Sequence, residues 1–269
     1  MTSVEEFLRS YHDARPHAAS ELAERARVAG DGRTLYEVFA EHVDGAKAVL
    51  DLGCGDGALL EVLGKRGAEK LAGLDLSPGQ VEVAVKRLDS ADVRVGRAQE
   101  LPFADGEFDT VVSLMALMLM TDVEQVVPEI ARVLKPGGTL AMGIGGGGYE
   151  ALGVFLKVAR PLFAVVPQAR RVPSAGDPRT RTREGLDALL GPAGFEPLAW
   201  HRILLDHGGT PDEVWQTCRD SYYQMVSLDE TQIKGLRTAF TVVTRGMVTP
   251  DGRLPATSCV NIAVTRLRS

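Results

Sequence analysis

Residues 49–57 read VLDLGCGDG, a short apolar run followed by glycine at positions 53, 55 and 57. Few features restrict a fold more. An apolar run entering such a turn is a buried strand, and glycine there lets the backbone bend left-handed and approach a ligand. ALLEVLGKRG (58–67) follows, with leucines and valine at helical spacing. The stretch therefore predicts strand, turn, helix.

That rhythm repeats. AKAVLDL (46–52) is the first strand and KLAGLDL (70–76) the second. SPGQ (77–80) opens a helix, with Ser77 as N-cap, Pro78 in the first turn and Gln80 closing a capping box. Strand DVRVG (92–96), strand FDTVVSLM (108–115), helix VEQVVPEIARVL (123–134) and strand GGTLAMGIG (137–145) complete the series. Alternation of this kind predicts an α/β fold with a parallel sheet and helices on both faces. Such sheets bind ligands beyond the carboxyl ends of their strands, where the turn at 53–57 lies.

After residue 145 the rhythm changes. GGGGYE (145–150) reads as a flexible exit, and residues 151–166 as a helix running to Pro161. RRVPSAGDPRTR (170–181) reads as loop and TREGLDALL (182–190) as a helix capped by Thr182. GFEPLAWHRILLDH (194–207) is a ragged strand. TPDEVW (210–215) and SLDE (227–230) each start a helix, and SCVNIAVTRL (258–267) alternates like a half-buried last strand. The expected organisation is an N-terminal helical lid (1–44), a ligand-binding core (45–145) and a cap insertion (146–180). Residues 181–269 then complete the core sheet, with a helical insertion at about 208–250.

The turn itself leaves two ligands open. GxGxG with Ala58 in place of a third glycine is compatible with a dinucleotide, while the GxxxxGK[ST] phosphate loop is absent. Asp51 bears on the choice. A carboxylate beside the turn repels pyrophosphate and attracts an α-ammonium group. Asp75 ends the second strand about 20 residues on, placed to accept both ribose hydroxyls. An amino acid joined to adenosine suits this pair better than a dinucleotide does.

VLDLGCGDG, LDLSPGQ, VGRAQELPFADGEFDTVVS and ARVLKPGGTLAM, in that order, resemble the successive motifs of class I S-adenosylmethionine-dependent methyltransferases, in the branch acting on small molecules such as quinones and natural products. The resemblance covers roughly residues 45–145, and GFEPL near 195 resembles that family's later strand. It implies a Rossmann-like seven-stranded sheet in the order 3-2-1-4-5-7-6, the last strand antiparallel, with S-adenosylmethionine as cofactor. By the same resemblance Gly53, Cys54 and Gly55 line its methionine part, with Asp51 near the ammonium. Asp75 takes the ribose and Leu76 packs on the adenine. Ala98 and Gln99 meet the adenine edge, and Ser113 and Leu114 lie beneath the sulfonium. The Cys54 side chain itself reads as small apolar filler. Two departures stand out. The family often has an acidic residue where Arg97 stands, accepting the adenine amino group, and histidines where Met118 and Leu119 stand. Gln99 or backbone groups are then left to meet the amino group, and Met115, Met118 and Met120 read as core or pocket lining. A [DN]PP[YFW] tetrapeptide after the fourth strand is missing, which argues against methylation of a base amine or a glutamine amide.

The remaining composition narrows the function. With 45% hydrophobic residues, 269 residues can bury a sizeable core. The formal net charge of −6 speaks against nucleic acid as partner. Cys54, Cys218 and Cys259 form no CxxC pair and the five histidines no HExxH pattern, so no metal is expected. The longest apolar run, Val111 to Met120, is broken by Ser113, far short of the about 20 residues of a membrane span. A polar N-terminus argues against a secretory signal, and a cytoplasmic protein is expected. The expected reaction is methyl transfer to oxygen, nitrogen or carbon of a small-molecule acceptor, in secondary or cofactor metabolism. The alternatives are a cofactor-binding protein of other activity, such as a cyclase, and an RNA methyltransferase. A base is required only where the nucleophile must lose a proton. The candidates are His12, His17, His201, His207, Tyr222 and Tyr223. Trp200, Trp215, Phe155 and Phe163 join the two tyrosines as aromatics suited to a flat acceptor or to a core. Arg170, Arg171, Arg179, Arg181 and Arg183 form a basic cluster, read as a solvated loop or as a seat for an anionic acceptor.

Overall fold

The computed structural model describes residues 3–269. Its strands are β1 (Arg27–Val28), β2 (Ala48–Leu52), β3 (Lys70–Asp75), β4 (Asp92–Val95), β5 (Phe108–Leu114), β6 (Leu134–Tyr149), β7 (Ala199–Asp206) and β8 (Ala256–Arg266). They form one sheet in the order β1-β7-β8-β6-β5-β2-β3-β4. From β4 to β6 all neighbours are parallel. β8 runs antiparallel to β6 and to β7, and β1 antiparallel to β7. The seven-stranded expectation is thus corrected to an eight-stranded mixed sheet within an α/β, Rossmann-like fold. The difference is β1, a two-residue edge strand pairing Arg27 with Asp206 and Val28 with Leu205. A pair so short carries no alternation from which a sequence reading could detect it.

The helices are α1 (Ser3–Asp13), α2 (Ala18–Arg25), α3 (Leu35–Glu41), α4 (Ala58–Lys65), α5 (Pro78–Arg87), α6 (Val123–Val133), α7 (Glu150–Ala164), α8 (Arg183–Leu190), α9 (Pro211–Ser221) and α10 (Glu230–Thr244). β2 is buried along its whole length, as a strand covered on both faces must be. One face is covered by α6 and α8, through Val126, Ile130, Leu186 and Leu190. The other is covered by α3 and α4, through Phe39, Ala40, Leu59 and Leu63. In α6 the buried residues Val123, Val126, Val127, Ile130 and Val133 recur every three or four positions. Their burial contributes on the order of 10 kcal/mol before the entropy of ordering the helix is subtracted.

Three local expectations change. The glycines of 145–148 continue β6 instead of leaving the sheet. Gly145 pairs with Val260 and Gly147 with Cys259, and the register slips between them. Ser77 caps α5 by accepting from the Gln80 amide nitrogen, 3.1 Å, but the Gln80 side chain reaches toward the Pro16 carbonyl instead of closing a box. Before α10 the cap is Asp229, with Gln232 closing its box. Thr182 and Thr210 cap α8 and α9, and α7 runs through Pro161 to Ala164.

α7, α9 and α10 pack on one another around Phe155, Trp215, Cys218, Leu236 and Phe240, a core separate from those flanking the sheet. Phe155 and Trp215 are therefore core residues. Trp200 packs against the main core and Phe163 against the helical one. No described helix is long and apolar enough to cross a membrane.

Candidate functional site

β2 ends at Leu52, and the chain turns at once. Gly53 adopts φ +78°, and a Cβ there would meet the Ala116 Cβ at 2.3 Å. Gly57 caps α4 at φ +80°, and a Cβ there would lie 2.9 Å from Leu88 Cδ1 and 3.1 Å from Ala84 Cβ. Two independent reasons, backbone conformation and space, thus require glycine at both ends of the turn. Asp75, at the end of β3, fastens the turn from the next strand. Its Oδ2 accepts from the Gly55 amide at 2.9 Å, and its Oδ1 from the Ser77 amide at 2.9 Å. Burial raises the Asp75 carboxyl above its ordinary value, against the lowering effect of these backbone donors.

A cavity of about 480 Å³ lies over this region, within the range usual for small-molecule sites. Gly53, Gly55, Asp75, Leu76, Ala98, Gln99 and Leu114 all line it. Asp51, Cys54 and Ser113 do not. Asp51 is 2% exposed behind the wall, and its Oδ1 has no hydrogen-bond partner among the described residues. Burial, and then the nearby Asp75 charge, raise its pKa to about 8. The Cys54 side chain packs with Leu60 and Leu88, and burial pushes its thiol well above the usual range. Ser113 is fully buried. Its Oγ donates to the Leu52 carbonyl at 2.8 Å and accepts from the Leu117 amide at 3.0 Å. Ser113 thus stands behind the cavity wall, next to Leu114, which lines it. Neighbours on a strand face opposite ways, so Leu114 faces the cavity and Ser113 the core. Met115 and Ala116 take the next positions in the wall. Met115 holds φ +61°, a strained conformation for a non-glycine residue, of the kind that gathers at functional sites. Met118, Leu119 and Met120 also line the cavity.

The candidate bases divide. His12, His207, Tyr222 and Tyr223 line the cavity. His201 does not. It is exposed, with its ring 4.6 Å from that of His42. The reason is strand geometry. His207 follows the cavity end of β7, and His201 sits six residues back, roughly 20 Å along an extended chain. His17 faces Asp56, outside the wall. His12 Nε2 is 3.0 Å from the Tyr223 hydroxyl, and its Nδ1 is buried without a partner among the described residues. Burial lowers the His12 pKa to about 4, against a raising effect from Asp13. His207 Nε2 is 2.8 Å from Ser258 Oγ, and burial lowers its pKa too, opposed by Asp206. Burial raises Tyr222 to about 12 and shifts Tyr223 upward as well.

The basic cluster is engaged elsewhere. Arg179 pairs with Asp177 and Glu124. Arg171, Arg181 and Arg183 donate to backbone carbonyls of Val166, Met118 and Leu198. Arg170 and these four stand outside the cavity wall, in keeping with the loop reading of this cluster.

Glu5 was not visible as a site residue. It is 6% exposed, and it takes hydrogen bonds from Arg97 and Gln99. Nothing local in the sequence links residues so far apart. Among the described residues no group of three or more His, Cys, Asp or Glu is placed to hold a metal ion.

Comparison with known proteins agrees with this geometry. Residues 50–142 match the family described as methyltransferase domain. The chain is 36% identical over 119 residues to Methyltransferase GfsG of Streptomyces halstedii, covering 41% of this chain and 43% of that protein. It is 39% identical over 157 residues to the 27-O-demethylrifamycin SV methyltransferase of Amycolatopsis mediterranei (strain S699), covering 55% and 54%. The chain thus spans about half the length of the curated relatives it matches. In fold it is similar to the [4+2]-cyclase SpnF, with a TM-score of 0.62 at 20% identity, covering 99% of this chain and 97% of that one. Residues 50–142 thus form a methyltransferase domain of the S-adenosylmethionine-dependent kind, and S-adenosylmethionine is the cofactor of that domain.

Proposed function

We propose that the whole chain transfers a methyl group to an uncharged, largely apolar small molecule. The observation that carries this reading is the charge balance of the cavity wall. Glu5 pairs with Arg97, Arg9 with Asp13, and Asp220 with Arg25. Asp75 has no ion-pair partner among the described residues, and the ribose reading assigns it to the cofactor. Both wall histidines are held below their ordinary pKa, so they are neutral at pH 7. The rest of the wall includes Leu22, Ala26, Leu35, Leu152, Leu205 and Val260. A charged acceptor would lose hydration there without gaining a counter-charge.

The residues present fit the cofactor. Asp51 Oδ1 is buried and unpartnered among the described residues, which suits a nearby ammonium group. Gly53, where a Cβ would clash with Ala116, and Gly55, at φ +55°, keep the turn's cavity side bare and suit the methionine part. Asp75 suits the ribose, while Leu76, Ala98 and Gln99 suit the adenine. When bound, S-adenosylmethionine supplies an activated sulfonium methyl group, for which alignment of the nucleophile provides much of the acceleration. His12 and His207, being neutral, are able to accept a proton from a nucleophile that must lose one. We read α1 and α2 as the lid (1–44), residues 146–180 and about 208–250 as the cap, and the remainder as the core and its completion. A curated relative named as a 27-O-demethylrifamycin SV methyltransferase supports a small-molecule acceptor.

Incubation with methyl-labelled donor, an organic-solvent extract of metabolites and total RNA tests the reading. Label in an uncharged organic product is expected. Label in RNA contradicts the acceptor class, and tight donor binding without transfer points to an activity other than methylation.

A further inference from the structure

Helix α1 is fastened over the carboxyl ends of β3 and β4 at two points. At its last residue, Asp13 Oδ1 accepts from Ser77 Oγ at 2.6 Å and from the Gly79 amide at 2.9 Å. At its first turn, Glu5 Oε1 accepts from Arg97 Nη2 at 2.8 Å, from Arg97 Nε at 3.1 Å and from Gln99 Nε2 at 3.2 Å. Gln99 Nε2 also donates to the Thr121 carbonyl, 2.9 Å. Both partners of that nitrogen are pure acceptors, so the amide has one orientation and its NH2 group is committed. The Gln99 carbonyl oxygen is an acceptor, and Gln99 lines the cavity in the loop after β4. Glu5 lines the same cavity and is nearly buried, so its bonds operate with little competition from water.

We propose that Glu5, from the lid helix, is a positioning residue for the cofactor's adenine: by holding Arg97 and the Gln99 amide, it presents the Gln99 carbonyl to the adenine 6-amino group and ties recognition of the base to docking of the lid. This rests on the cofactor reading of the cavity. Arg97 stands where a donor-bearing side chain would oppose an amino group. Glu5 draws that guanidinium away and fixes the amide beside it. Without Glu5 the amide is free to turn its NH2 toward the base, and the arginine is released next to it. An adenine, which offers a donor, and a hypoxanthine, which offers a carbonyl acceptor at the same place, would then bind alike.

The test is calorimetric titration of the full chain with S-adenosylhomocysteine and with its inosine counterpart, in which the 6-amino group is replaced by oxygen. The wild type is expected to prefer the adenosine form by at least about tenfold, as a buried group left facing a like partner loses its bond. Glu5→Ala and Gln99→Ala are each expected to bring the two within about twofold, mainly by weakening the adenosine form. Glu5→Gln, which keeps an acceptor but not the charge, is expected to retain an intermediate preference, and it serves if Glu5→Ala does not fold by circular dichroism. A preference unchanged in Glu5→Ala and in Glu5→Gln, with both ligands weakened equally, would overturn the proposal and leave only a role in holding α1. Failure of the wild type to bind either ligand would overturn the cofactor reading and this proposal with it.

Discussion

Asp75→Ala is expected to weaken S-adenosylhomocysteine binding at least about 100-fold. Two effects act together. The carboxylate available to the ribose is lost, and hydrogen bonds to a charged group are worth about 1.5–3 kcal/mol each. The Gly55 and Ser77 amides also lose the acceptor that fastens the glycine turn to β3. Asp75→Asn separates the two effects. Its side-chain oxygen keeps one amide partner, so the fold and turn are retained while the ribose contact is weakened. Its affinity is expected to lie between those of the wild type and the alanine variant. Titration calorimetry reads both. Unchanged binding in Asp75→Ala would mean that the cavity holds its ligand in another way.

The second large effect is a dependence on pH centred on Asp51. Its folded pKa of about 8 lies well above the ordinary carboxylate value, chiefly through burial. Between about pH 4 and pH 8 the folded chain therefore keeps a proton there that the unfolded chain has released. Stability without cofactor is greatest at the acid end of that window and falls as pH rises through it, at up to about 1.4 kcal/mol per pH unit. An ammonium group beside Asp51 favours the ionised form and reverses the preference. Cofactor binding is thus expected to release up to one proton per site near pH 7 and to tighten as pH rises toward 8. Asp51→Asn keeps the shape and cannot titrate. It is expected to flatten the pH dependence of the urea midpoint, to be more stable than the wild type at pH 8, and to bind S-adenosylhomocysteine more weakly without proton release. Calorimetry in two buffers of different ionisation enthalpy measures the protons. An Asp51→Asn variant with the wild-type pH slope would show that another group is responsible.

How much of this was legible in the sequence depended on whether the signal was local. The glycine turn and Asp75 announce themselves by type and spacing, Ala98 and Gln99 come from the family resemblance, and the structure brings them all to one cavity. Ser113 was assigned to the site together with Leu114, yet only one of two adjacent strand residues faces a given side. The glycines at 145–148 looked flexible because glycine weakens an isolated strand. Pairing with β8 overrides that tendency, and the slipped register uses glycine at 146, where a Cβ would meet Cys259 Sγ at 2.8 Å. His201 and His207 looked equivalent until the strand placed them at opposite ends. The Glu5–Arg97 pair joins helix α1 to a loop 92 positions away, a relation only the folded chain displays. The five arginines between 170 and 183 read as a charge cluster, but backbone carbonyls and neighbouring carboxylates engage four of them.

The central claim is that this cavity holds an amino-acid nucleoside over the glycine turn. Titration of the wild-type chain with S-adenosylhomocysteine tests it most directly. The account predicts saturable binding at one site per chain, competed by S-adenosylmethionine and unaffected by NAD. No binding, or equal competition by the dinucleotide, would contradict it.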